Sequence, residues 1–300
     1  MRIMFDEVRS NKLKSWVLMF FFIILIGILG ALIGAVYDSL IIGLSLAVAF
    51  GLIYSMTSLY SGDRMILKMS GARPVTKQEF PYLFHTIEGL AISAGIPCPK
   101  AYVIDDSALN AFATGRDFEH ASITVTTGLL KTMNRQELEG VVAHEMSHIK
   151  NYDIRFMMLV TVMIGIVTLL SDFLLRSFLW GGGRHRRSSG GGSVGIVLIV
   201  LGLMLAILSP FIGKMIQLAI SRKREYMADA NAVVLTRYPP GLASALKKIA
   251  GDPDPLVDKA NKASAHLFIS TPFRKKTGIM SKLFSTHPPI EDRINRLEEM

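Results

Sequence analysis

Cysteine is nearly absent from this chain: of 300 residues only Cys98 carries a thiol. No internal disulfide and no thiolate metal cluster can form, which fits a reducing compartment. Cys98 reads as a small turn residue between Pro97 and Pro99. The chain has no internal repeat and no recognisable nucleic-acid recognition module, so its net charge of +9 is no footprint for DNA or RNA. Charge itself is missing from long blocks. Trp16 to Tyr37, Ser39 to Gly62 and Ser188 to Gly213 carry none, and Phe156 to Ser171 is a shorter block followed by Asp172 and Arg176. With 50% hydrophobic residues and a positive mean hydropathy, an ordinary soluble protein is excluded.

A helix needs about 20 apolar residues to cross a ~30 Å hydrocarbon core. Three blocks are long enough, and the block from Phe156 reaches if it continues to Trp180, with Asp172 and Arg176 snorkelling near its end. The expectation is four spans in two hairpins. The first block is longer than a signal-peptide core and a second follows at once, so it reads as an uncleaved anchor. Arg2, Arg9, Lys12 and Lys14 place the N-terminus in the cytoplasm. Lys68, Arg73 and Lys77 return there after the second span, with the turn at Tyr37–Asp38–Ser39 outside. The 16 methionines read as membrane packing.

Four segments follow. Residues 1–62 form a membrane hairpin. Residues 63–155 form the first part of a globular domain. Residues 156–218 form a second hydrophobic hairpin around the Gly/Ser-rich basic tip GGGRHRRSSGGGS. Residues 219–300 form the second part of the domain. In the first globular part, Gln78 to Ala94 has helical spacing and KAYVI (100–104), NAFAT (110–114) and SITVT (122–126) read as strands. Arg116–Asp117 makes a turn. Asn134 with Glu137 forms a capping box that opens a helix. Lys214 to Leu235 reads as a helix leaving the last span.

The capped helix carries His144–Glu145–Met146–Ser147–His148. Residues four apart share one helix face, so both imidazoles can point at one tetrahedral metal. Glu145, about 100° round the helix, can reach a metal-bound water. This is the H-E-x-x-H pattern of zinc peptidases, in which the metal lowers the pKa of a water and polarises the scissile carbonyl. Glu145 would take the water's proton and pass it to the leaving amine.

A catalytic zinc usually has three protein ligands, so a third is required. Asp153 reads as part of the same helix, unable to reach back. Glu225 in SRKREYMADA is the better candidate. Asp229 follows one turn later, placed to hold a ligand histidine by its free N–H. The competing reading is a solvated face on which Arg222, Lys223 and Arg224 pair these acids. A ligand at 225 requires an even number of intervening spans. That supports the third and fourth, although it puts Arg184, Arg186 and Arg187 outside; a re-entrant hairpin would keep that loop inside. The apolar blocks start seven or eight residues from the ligands. Two helices rising from the bilayer would then hold the metal ~10–12 Å above it.

HEMSH, SRKREYMADA, NAFATG (110–115) and THPPIEDRI (286–294), with four hydrophobic blocks in this order, resemble the HtpX family of membrane zinc metalloproteases. These are gluzincins related to the CAAX prenyl proteases. The resemblance covers essentially the whole chain. It implies a mainly α membrane protein with a cytoplasmic α+β zinc protease domain. It also implies one Zn2+ per chain on His144, His148 and Glu225, with Glu145 as base. The implied site lies in the cell membrane and faces the cytoplasm. The implied activity is cleavage of damaged or misfolded membrane proteins, or unfolded polypeptides, under stress. Partners would be such clients, the lipid bilayer and other membrane quality-control proteases, with no nucleic acid. NAFATG resembles the family's substrate-binding edge strand, with Asn110, Ala111, Phe112 and Ala113 lining it. His287 would stabilise the oxyanion, and Arg293 would support the site from behind the ligands. His-Pro-Pro before an amphipathic helix also suits plain packing. His85, His120, His185 and His266 read as ordinary. Two other functions fit the same motifs. One is a catalytically silent, metal-stabilised scaffold or chaperone, for which Glu145 would be superfluous. The other is a CAAX-type processing protease.

Overall fold

The first two uncharged blocks each form one long helix in the computed structural model: α1 (Arg2–Val36) and α2 (Leu40–Met69). The structure describes residues 2–36, 38–181, 222–252, 267–269 and 288–300. Among these, Val8–Ala35 and Leu40–Met69 are long and apolar enough to cross a membrane. The expected third and fourth spans fall on 156–180 and 188–213. Of these, only the helix as far as Gly181 is described, with its side chains as far as Val167; the glycine-rich tip and His287 lie outside the described residues. The helices pack backbone to backbone. A Cβ on Gly43 would meet the Gly30 carbonyl oxygen at 2.4 Å, and one on Gly30 would meet Ala47 Cβ at 2.1 Å. Small residues are what allow such an approach in lipid, where packing replaces the hydrophobic drive.

A short strand β1 (Arg73–Pro74) leads to α3 (Pro81–Ala94). The helix starts at Pro81, three residues later than its periodicity suggests. Proline fixes the first helical φ, and Phe80 before it is held out of the helix. Gly95 ends it in the left-handed conformation, at φ 67°. Then come β2 (Lys100–Ile104), β3 (Ala111–Gly115), a 3-10 turn (Phe118–His120) capped by Asp117, and β4 (Ala121–Thr126). The sheet order is β1-β2-β4-β3. β2 and β4 are parallel, and β3 is an edge strand antiparallel to β4, with Ala113 opposite Ile123.

After α4 (Thr127–Thr132) comes α5 (Arg135–Lys150), opened by the expected capping box: Asn134 Oδ1 accepts the Glu137 N–H, and Glu137 accepts the Asn134 N–H. α6 (Asp153–Gly181), α7 (Arg222–Thr236), α8 (Pro239–Ala250) and α9 (Ile290–Glu298) complete the described elements.

The period of two along the strands fills two separate cores. Val103, Ala111, Ala113, Ile123 and Val125 pack with α3, α5, α8 and α9. Ile104 and Phe112 point the other way, into a cluster with α1, α2 and α6. Every residue of β3 is therefore buried. The sheet lies between the membrane-directed helices and the helix that carries the HEMSH motif.

One expectation is corrected here. α5 does not run on into the third apolar block. The chain breaks at Asn151–Tyr152, with Tyr152 at φ 60°, and α6 starts afresh at Asp153. The motif helix is an interior helix of the domain, buried from Gly140 to Ile149, and not the protruding end of a membrane helix.

Candidate metal centre

His144, His148 and Glu225 converge, with one ligand atom from each lying within 4.8 Å of the others. α5 supplies the histidines from one face and α7 lies across them with the carboxylate. Nε2 of His144 and Nε2 of His148 are 3.3 Å apart. Glu225 places Oε2 3.7 Å from the first and Oε1 3.6 Å from the second. All three residues are buried.

The outer ring nitrogens are held from behind. Asp229 Oδ1 is 2.9 Å from Nδ1 of His144, as its position one turn after Glu225 suggests. Asp153 Oδ2 is 3.0 Å from Nδ1 of His148. This contact overturns the reading of Asp153 as part of the motif helix. The break at Asn151–Tyr152 turns the chain and lets the carboxylate come back to the ring. With each aspartate accepting an Nδ1–H, the two Nε2 atoms, 3.3 Å apart, would offer their lone pairs to a cation between them, and Glu225 adds an anionic oxygen. The donor set of two imidazoles and one carboxylate, with their second partners in place, fits a catalytic zinc.

Arg293 closes the back of the site. It is 1% exposed, and its Nε and Nη2 donate to Asp229 at 2.9 and 2.7 Å, a forked pair. Its Nη1 lies 3.5 Å from Glu225 Oε2. Arg293 thus stands behind Asp229 and Glu225. Arg224 departs from the solvated-face reading: it is buried, and its Nη1 lies 3.4 Å from Asp153 Oδ1.

A connection invisible in the sequence ties the site to α1. Asn11 is fully buried, and its Nδ2 donates to Asp153 Oδ1 at 2.7 Å and to the Asn151 carbonyl at 3.0 Å. Arg224 Nη1 donates to Asn11 Oδ1 at 3.3 Å. A side chain 142 residues away in sequence thus holds the carboxylate that holds His148.

Electrostatics follow this packing. Burial is the largest influence on Glu145 and, with Glu225 nearby, raises its carboxyl to about 7, although His148 and the Ala113 N–H pull the other way. Burial also opposes charge on His148, but the Asp153 hydrogen bond and the Glu225 charge outweigh it and raise that ring to about 9. His144 is shifted downward by burial and by Arg293.

Beside the metal group lies the outer edge of β3. The Ala113 N–H lies near enough to the Glu145 carboxyl to lower its pKa, and the Ala111 carbonyl accepts the Ile269 N–H at 2.9 Å. Asn110 and Phe112 use the other side: the Asn110 carbonyl bonds Thr126 N–H, and Phe112 packs edge-on against Phe268. Of the residues expected to line this edge, Ala111 and Ala113 present main-chain groups along it.

A buried helix with two metal-ready histidines, a carboxylate from a later helix and an acid beside them define a metalloprotease. The sequence profile of peptidase family M48 matches residues 77–300, and the chain belongs to that family. It is similar to the "Protease HtpX homolog" of Dictyoglomus thermophilum, at 47% identity over 99% of this chain and 94% of that one. The protein of that name from Ligilactobacillus salivarius is 41% identical over 99% of this chain and all of its own length. The crystal structure of S. mikatae Ste24p superposes with a TM-score of 0.54 over 98% of this chain and 67% of that one. At 20% identity this is a likeness of fold alone. The HtpX resemblance read from the motifs is borne out, and with two candidate spans the chain is a membrane protein.

Proposed function

We propose that this protein is a membrane-bound zinc endopeptidase that cleaves damaged or misfolded membrane proteins at the cytoplasmic face. The observation that carries the reading is the convergence of His144, His148 and Glu225 beside Glu145 and the edge of β3. His144 and His148 would hold one zinc through Nε2 and Glu225 through its carboxylate. When bound, zinc would act as a Lewis acid at the scissile carbonyl and bring the pKa of a water down toward ~7.

The protein's own residues do the rest. Asp229 and Asp153 keep both rings in the tautomer that offers Nε2, and Arg293 and Asn11 hold those aspartates. Glu145, with a carboxyl pushed up to about 7, can both take a proton and give it back near neutral pH. β3 aligns the client by main-chain pairing, so that recognition is independent of side-chain sequence. The pairing of Ile269 with Ala111 supports this use, because it is an extended backbone bonded to that edge. Such pairing suits clients whose backbone is exposed, which is the state of a misfolded chain. The basic residues flanking α1 and α2 support a cytoplasmic site, and four spans would bring Glu225 back to the side of the histidines.

The test is cleavage of an unfolded membrane protein by the purified full chain. Wild type with zinc should fragment it, while wild type under chelator and Glu145→Gln with zinc should not. Equal fragmentation by Glu145→Gln would refute the assignment. No cleavage by any sample, despite bound zinc, would favour a scaffold.

A further inference from the structure

Away from the metal centre, a polar cavity of about 80 Å3 opens between the end of α2 and the lower edge of the sheet. It is lined by Tyr60, Arg64, Lys100, Tyr102, Arg116 and Ser122, with His120 and the carboxylate of Asp63. One water needs about 10–15 Å3 of such space, so the cavity has room for a small polyatomic group. The lining holds three cations against one carboxylate. Arg116 is pinned: its guanidinium stands 5.0 Å over the Tyr60 ring, its Nη2 is 2.7 Å from His120 Nε2, and its Nε is 3.3 Å from Asp117. Arg64 and Lys100 have no hydrogen-bond or ion-pair partner among the described residues. Three hydroxyl-bearing residues, Tyr60, Tyr102 and Ser122, belong to the same lining. Cations with unused donors and adjacent hydroxyls make a receptor for a phosphoryl anion.

The height of the cavity on the molecule says where that anion comes from. Asp63 is the first charge after the uncharged block Ser39 to Gly62, so α2 leaves the hydrocarbon at Tyr60 to Arg64. Other aromatic–cation pairs mark the same boundary. Arg155 stands 5.6 Å over Trp16 at the start of the apolar part of α1, and Arg224 stands 5.9 Å from Phe156 at the start of that of α6. Aromatic rings and basic side chains gather at the headgroup layer. We propose that this cavity binds the phosphate of an anionic phospholipid headgroup, and so seats the edge of the protease sheet on the bilayer.

The experiment uses the full chain, purified in detergent and stripped of lipid. Phosphatidylglycerol and phosphatidylcholine of the same acyl chains are titrated in, and bound lipid is counted by native mass spectrometry. Wild type should hold phosphatidylglycerol about tenfold more tightly than phosphatidylcholine. Arg64→Gln with Lys100→Gln should bring the first down to the level of the second. Lys131→Gln, an exposed lysine elsewhere, should match wild type. Neither substituted cation has a partner among the described residues, and each single variant provides a second reading if the pair lowers expression. Phosphatidylglycerol bound no better than phosphatidylcholine, or an unchanged double variant, would overturn the site. Displacement of the lipid by inorganic phosphate at equal concentration would overturn the lipid assignment.

Discussion

In α1 and α2, Phe20, Ile41, Leu46 and Ile53 are 61, 76, 67 and 68% exposed, whereas in α5 two histidines and a glutamate are 6% exposed or less. The hairpin turns apolar side chains outward and the metal centre turns ionisable ones inward. Each inversion has a different physical remedy. Lipid satisfies the first, and close glycine contacts replace the hydrophobic drive between its helices. The second requires partners for buried polar atoms, and Asp153, Asp229, Arg293 and Asn11 supply them behind the two histidines. The two regions meet at Asn11, where the hairpin supplies one of those partners.

Glu145→Gln should have the largest effect, and one confined to the metal centre. It should lower client cleavage by about 10²–10⁴-fold, the usual loss for a general base, while the hairpin and zinc content stay as in wild type. Next in size, Asp153→Asn should weaken zinc binding by about 10–100-fold, read by competition with a chromophoric chelator. Asn11→Ala acts one step further out and should move zinc affinity in the same direction by about tenfold or less. An unchanged affinity in Asn11→Ala would separate the two regions that the structure joins.

The legibility of the site divides along the same line. The histidines and Glu145 follow from one local spacing, and Glu225 with Asp229 from another, because a helix fixes which residues share a face. Asp153 was not legible. Its role depends on Tyr152 entering the left-handed region, which non-glycine residues rarely do. The only local sign is an asparagine followed two residues later by an aspartate, just past the helix end. Asn11 had no sign at all, since a contact across 142 residues leaves no periodicity. The three strands and the capping box were legible from alternation and from Asn134–Glu137. β1, at two residues, is too short to alternate.

Two smaller effects belong to one region each. Gly43→Val places a side chain where the Gly30 carbonyl oxygen sits at 2.4 Å from the new Cβ. It should destabilise the hairpin by about 1–3 kcal/mol, measured by unfolding in detergent, with zinc still bound at one per chain. In the domain, Glu137 accepts bonds from Asn134 N–H, Ser244 and Lys248. Burial pushes its carboxyl up, but the Lys248, Ser244 and Asn134 contacts outweigh that and hold it below the ordinary glutamate value. The folded pKa is depressed, so this stabilisation is present above the unfolded value near ~4.3 and is lost as pH falls through the folded one. Glu137→Gln should destabilise by about 1–2 kcal/mol at neutral pH and flatten the loss of stability below about pH 4, read from melting curves.

X-ray absorption at the zinc edge, on the loaded full chain, tests most directly whether His144, His148 and Glu225 together hold one zinc. Wild type should show two imidazole ligands and a carboxylate, with nitrogen at about 2.0–2.1 Å, and Glu225→Gln a changed spectrum with weakened binding. A third imidazole in wild type, or an unchanged spectrum in Glu225→Gln, would contradict that assignment.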